Sequence, residues 1–140
     1  MNPKAKHWLF KTEPGTYSFD QLLKDKRTAW NGVRNYQARN FLKQAQVGDL
    51  VIIYHSGGSP SAVGIAQITK AAYPDLDPKK PGDWVQLDLI PVQRFEVEVS
   101  LSQMKSEKAL KDLLLIKQSR LSCMPVTPSE FERIKQLGGL

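Results

Sequence analysis

The stretch Trp30-Asn31-Gly32-Val33-Arg34-Asn35-Tyr36 gathers two aromatic rings, two amides, a guanidinium and a glycine within seven consecutive positions. Such groups can stack on a flat ring, hydrogen-bond to its edge and hold an anion. Asn31-Gly32 is a turn signal, because both residue types tolerate positive φ, and the glycine lets a ligand approach the backbone closely. A helix follows from about Asn35 to Ala45. Its Ala38, Phe41, Leu42 and Ala45 repeat at the spacing of one buried face, which leaves Tyr36, Arg39, Asn40 and Lys43 on the other. Arg34 and Asn35 fall at the start of that helix, where free backbone N–H groups favour a phosphate or a base carbonyl. The plain alternative is that Trp30 belongs to the core and the charges to an ordinary solvated face. For any one of these residues taken singly, that alternative is the stronger.

Other chemistries find less support. His7, His55 and Cys123 are scattered and show no zinc-site spacing. Neither a G-x-G-x-x-G turn nor a P-loop is present, so the sequence implies no cofactor. His55-Ser56 with Asp49 nearby suggests a hydrolase, but neighbours on an extended strand point to opposite faces and cannot readily share a proton. Cys123, within Leu121-Ser122-Cys123-Met124-Pro125, reads as a small buried hydrophobe. The expectation is therefore a protein that is not an enzyme. A small hydrolase acting on a nucleoside or modified amide is the alternative.

The chain has 140 residues, enough for one domain with a real core, and its 41% apolar and 24% charged residues are ordinary for a globular protein. A net charge of +6 favours polyanionic partners, since Lys and Arg neutralise phosphates and release counterions. No apolar run approaches the roughly 20 residues of a membrane span, and Met1 to His7 lack the apolar stretch of a secretory signal. With Cys123 as the single cysteine, no internal disulfide forms. A cytoplasmic setting is expected, nuclear in a eukaryote, with a monomer favoured.

The elements that must position these residues are short. His7 to Phe10 reads as a first strand, and Ser18 with Gln21 as the capping box of a short helix. Gly48 is placed to stop the helix that begins near Asn35. Leu50 to Tyr54 and Ala62 to Ala71 read as strands joined by the turn Gly57-Gly58-Ser59-Pro60. Trp84 to Ile90 and Arg94 to Val99 read as two more, after a Pro- and Lys-rich loop from Tyr73 to Asp83. A short helix within Leu101 to Leu113, a last strand from Leu121 to Val126, and a capped helix start at Thr127-Pro128-Ser129-Glu130 complete the chain. The class is α+β, around a small bent sheet or barrel of about five to six strands flanked by short helices.

Several motifs in order resemble those of EVE domains. Lys11-Thr12-Glu13-Pro14-Gly15-Thr16-Tyr17-Ser18 is similar to the family's opening motif, and Trp30 to Asn40 to its central signature. Gly48-Asp49 through Tyr54-His55-Ser56, Val63-Gly64-Ile65-Ala66, Tyr73-Pro74-Asp75 and Arg120-Leu121-Ser122 continue the match. The resemblance implies one domain over residues 1–140 with a PUA-like bent β-barrel. It also implies a nucleic-acid partner, either DNA carrying 5-methylcytosine-type bases or RNA. By the same resemblance, Trp30 to Tyr36, Tyr54-His55-Ser56, Arg120 and Ser122 would form the pocket, with Lys11, Glu13 and Arg39 at its rim.

The chain departs from the family in two places. Glu96-Val97-Glu98-Val99-Ser100-Leu101 replaces a proline-valine-threonine-leucine stretch, adding carboxylates unsuited to phosphate at that edge. Cys123 stands where valine is usual.

The mechanism expected on this basis is readout of an extruded base. Trp30 and Tyr54 would stack, while Asn35, Ser56 and the Gly32-Val33 backbone read the edge. Val33 would offer a recess for an alkyl group, and Arg34, Arg39 and Lys43 would hold phosphates. RNA binding without modified-base selectivity and a pocket for a small metabolite remain open at this stage.

Overall fold

Residues 6–76, 79 and 81–140 are described by a computed structural model. The near-continuous apolar run Leu50 to Tyr54 belongs to β3 (Leu50–His55), an inner strand whose residues Val51 to Tyr54 are all buried. Strands covered on both faces lose the alternation of half-exposed ones. β3 lies parallel to β1 (His7–Thr12), pairing Trp8 with Val51 and Thr12 with His55. On its other side it runs antiparallel to β4 (Ser61–Pro74), through the expected glycine-rich turn.

Among the described residues six strands form one mixed sheet in the order β2-β5-β4-β3-β1-β6. β2 (Thr28–Trp30) pairs with β5 (Val85–Ser100) at one edge, and β6 (Cys123–Val126) pairs with β1 at the other. The two edge strands do not meet, so the expected barrel is an open sheet. The α+β class stands. Four register shifts between β4 and β5 interrupt the ladder, and each such bulge bends and twists the strand that carries it.

The two strands expected from Trp84 to Ile90 and Arg94 to Val99 are one. Ala66 faces Pro91 while Ile65 faces Gln93, which leaves Val92 as the extra residue of a bulge. A bulge accommodates a proline that cannot donate to the ladder, so Pro91 interrupts the pattern without ending the strand. β2 is only three residues long and carries no periodicity of its own.

The helices lie against this sheet. α1 (Phe19–Asp25) is capped by the Ser18 hydroxyl, which accepts from the Gln21 N–H. Phe19 fits because Gly64 faces it: a Cβ at Gly64 would come within 2.6 Å of the ring. α2 (Tyr36–Gln44) starts at Asn35 and buries Ala38 and Leu42. It ends at Ala45 rather than at Gly48; the glycine, at φ +96°, turns the chain into β3 and donates its N–H to the Ile68 carbonyl at 2.8 Å. After β5 come α3 (Leu101–Lys105), a 3-10 turn at Lys108–Leu110, and α4 (Leu114–Lys117). α5 (Pro128–Leu137) has the full Thr127/Glu130 capping box.

Of the expected loop from Tyr73 to Asp83, Tyr73 and Pro74 are the end of β4, while residues 77, 78 and 80 lie outside the described residues. No helix among the described residues is long and apolar enough to cross a membrane.

Candidate functional site

Trp30 ends β2, opposite Leu87 of β5, and the chain then bends through Asn31 and Gly32 before α2 begins. Gly32 has φ +82°, a conformation only glycine adopts without strain. This bend closes one side of a cavity of about 510 Å³, within the roughly 300–1,000 Å³ typical of small-ligand sites. Trp30, Asn31, Gly32, Val33 and Arg34 line it from that side, with Thr28 and Ala29 of β2 beside them. Lys11 and Thr12 at the end of β1, Thr16, Tyr17 and Ser122 complete the wall.

The indole of Trp30 is only 8% exposed, held 5.8 Å from the Phe10 ring and edge-on to Tyr17 at 6.3 Å. It is therefore part of the core and also lines the cavity. Val33, also 8% exposed, adds an apolar side chain to the lining. Tyr17 is fixed by its hydroxyl, which donates to Asp25 at 2.8 Å, and by its carbonyl, which accepts from the Thr12 hydroxyl at 2.8 Å. Lys11 donates from Nζ to the Ser119 carbonyl at 2.6 Å, and burial lowers its ammonium below the usual lysine range.

What locks the bend is a residue that the sequence reading did not assign to the site. One carboxylate oxygen of Asp75, Oδ2, accepts from the Gly32 N–H at 2.9 Å and from the Arg34 guanidinium at 3.0 Å. Burial pushes the Asp75 carboxyl up, but the bonds from Arg34 and Gly32, with the Arg34 charge, reverse this and hold it below the usual range. Arg34 also donates to the Val33 carbonyl at 3.0 Å. The guanidinium expected to hold a phosphate is thus engaged in shaping the cavity wall. Lys43, also expected on phosphate, forms an ion pair with Asp83.

The other anticipated residues fall elsewhere. Tyr54 is 3% exposed inside the core, so its ring has no open face for stacking. His55 Nε2 accepts the Phe19 N–H at 3.0 Å, and the Ser56 N–H donates to the Thr12 carbonyl at 2.9 Å. This trio lies at the end of β3, beside the end of β1 in the sheet, and is not among the cavity-lining residues. Glu13 accepts from the Gly15 N–H at 2.8 Å and lies against Gly57, where a Cβ would meet its carboxylate at 2.7 Å. It ties the β1–α1 turn to the β3–β4 turn. Asn35 spends its side-chain oxygen capping α2, accepting from the Ala38 N–H at 2.8 Å. Arg120 is exposed beside Asn35 and Gln37, over a separate hollow of about 280 Å³.

Tyr36 and Arg39 project outside the cavity. Tyr36 stacks on Trp84 with ring centroids 5.1 Å apart and planes 24° from parallel. Arg39 lies 5.0 Å from the Tyr36 ring and 5.8 Å from that of Trp84.

Groups suited to bond-breaking are poorly placed here. Burial pushes the Cys123 thiol up to about 12, so the thiolate needed for attack is not formed near neutrality. Burial also lowers His55, against the smaller opposing effects of Glu98 and Glu13, and its Nε2 is occupied. What the cavity presents instead is the Trp30 indole and the Val33 isopropyl group among polar lining residues.

The family model for the EVE domain matches residues 6–137. This chain belongs to the EVE domain family. It is 33% identical to thymocyte nuclear protein 1 of Homo sapiens, over 95% of this chain and 74% of the relative. Among solved structures, a Pseudomonas putida protein superposes with a TM-score of 0.88 at 41% identity, covering 94% of this chain and 99% of the other. The human THYN1 protein in complex with 5-methylcytosine-containing DNA gives a TM-score of 0.88 at 32% identity, covering 97% of this EVE chain and 99% of that one.

Proposed function

We propose that this EVE domain is a non-enzymatic nucleic-acid-binding module, and that a 5-methylcytosine-type base, swung out of its strand, enters the cavity beside Trp30. The observation that carries the reading is the human THYN1 protein in complex with 5-methylcytosine-containing DNA, a relative of the same fold along nearly the whole chain. The cavity adds physical support. A base buried in a stack cannot be enclosed on both faces, so it must leave the stack at a cost of a few kcal/mol. The Trp30 ring offers compensating contact, Val33 faces an alkyl substituent, and the exposed amide of Asn31 stands at the mouth to bond the base edge. A single chain, residues 1–140, acts as one unit, in whichever compartment holds the modified nucleic acid: the cytoplasm in a cell without a nucleus, the nucleus otherwise.

Competition between oligonucleotides differing by one 5-methyl group, tested as DNA and as RNA, checks this directly. The methylated DNA should bind more tightly, and Asn31→Ala should weaken it without changing the fold. Equal affinity for methylated and plain strands of both kinds sinks the assignment.

A further inference from the structure

Outside the cavity, Tyr36 is 67% exposed although its ring is ordered against Trp84. The distances show which side is open. Arg39 is 5.0 Å from the Tyr36 centroid and 5.8 Å from that of Trp84, and the two centroids are 5.1 Å apart. These three lengths form a nearly equilateral triangle, so the guanidinium flanks the stack. A cation on the far side of Tyr36 would lie about twice as far from Trp84 as the spacing for one stacked ring. The outer face of Tyr36 is left open to solvent.

Trp84 is seated from behind by Gly82: a Cβ there would come within 2.6 Å of indole Nε1, and its φ of +150° suits glycine. Arg34 joins this stack to the cavity, because it lines the cavity and also lies 5.5 Å from the Trp84 ring.

We propose that the Tyr36–Trp84 stack is a second platform on the same ligand strand, taking the base next to the one in the cavity. This inference rests on the base-binding reading above. An aromatic face accepts any base, because every base has a π-face, and Arg39 beside the stack can meet the intervening phosphate. In a paired duplex that neighbouring base stays hydrogen-bonded to its complement and stacked on its far side, which holds it inside the helix and away from an outside platform. The platform therefore selects a strand that is single or locally unpaired around the modified base.

The test compares 5-methyl-2′-deoxycytidine monophosphate, a short single strand carrying the same base centrally, and the corresponding duplex. Tyr36→Ala is the main variant, since a side chain this exposed can be removed without unfolding; Tyr36→Phe keeps the ring. The wild type should bind the single strand more tightly than the duplex. Tyr36→Ala should weaken single-strand binding by roughly tenfold, in line with the loss of one stacked base. Mononucleotide binding should not change, and Tyr36→Phe should behave as wild type. If Tyr36→Ala binds the single strand as well as wild type while Asn31→Ala weakens mononucleotide and strand together, the cavity reading survives and the platform is overturned. If the wild type shows no preference for the methylated mononucleotide or strand over the plain one, the base reading fails and the platform with it.

Discussion

The two sides of the Trp30-to-Arg39 stretch make use of aromatic rings in opposite ways. Trp30 is held by the core on one side and faces the cavity on the other, in a wall whose turn is locked by a carboxylate 43 residues away. Tyr36 is held by its stack on Trp84 with the Arg39 guanidinium beside it, and its side chain stays largely exposed. A wall whose polar groups are satisfied inside the fold keeps its shape before a ligand arrives, the condition for discriminating a single methyl group. A surface stack adapts to what lies on it and contributes affinity with little selectivity. Position in the fold, more than residue type, separates the two.

That contrast can be broken most severely at Trp30. Trp30→Ala removes a ring packed against Phe10 and Tyr17, and should lower stability by about 3 kcal/mol. Denaturant unfolding would measure it. Tyr36→Ala in the same assay should stay within about 0.5 kcal/mol of wild type; similar losses at the two sites would erase the distinction. Because Trp30→Ala weakens the fold as well as the site, Trp30→Phe is the better variant for binding work.

Asp75→Ala comes next. It strands the Gly32 N–H and a partly buried Arg34 guanidinium, a loss of about 2 kcal/mol for bonds to a charged group. Methyl discrimination should fall with it, whereas Asp83→Ala, which frees Lys43 on the platform side, should leave discrimination intact.

Acid should act on the packing around β1 and β3 before the platform. His55 and His7 are both lowered by burial from an ordinary value of 6.5, against smaller raising effects of neighbouring carboxylates. Their unfolded forms take up protons first, so stability is complete above about pH 6.5 and is lost as pH falls through the lower folded values. Protonated His55 Nε2 could no longer accept the Phe19 N–H. Thermal melts across this range should show the decline, and His55→Gln should flatten part of it, leaving the share due to His7.

The smallest expected effect is at Arg39. Arg39→Ala should weaken binding to methylated and plain strands alike and reduce the salt dependence by about one phosphate contact. A change in methyl preference there would move discrimination out of the cavity.

Much of this was legible in local pattern. The Asn31-Gly32 bend, the Asn35 cap, the buried face of α2 and the Thr127 start of α5 depend on neighbours a few residues apart. The misplacements involve partners distant in sequence. Arg34 at a helix start suggested a phosphate because nothing local reveals Asp75, 41 residues on. Trp84 read only as the start of a strand, although it completes the platform with Tyr36. Tyr54 suggests a stacking surface because a continuous apolar strand does not show which of its faces is covered; in β3, Val51 to Tyr54 are all buried.

The central claim is that the methyl-bearing base enters the cavity and does not rest on the exposed stack. Intermolecular nuclear Overhauser contacts from the 5-methyl protons of a bound methylated strand would test it most directly. Contacts to the Trp30 indole and the Val33 methyls are expected. Contacts confined to Tyr36 and Trp84 would contradict it.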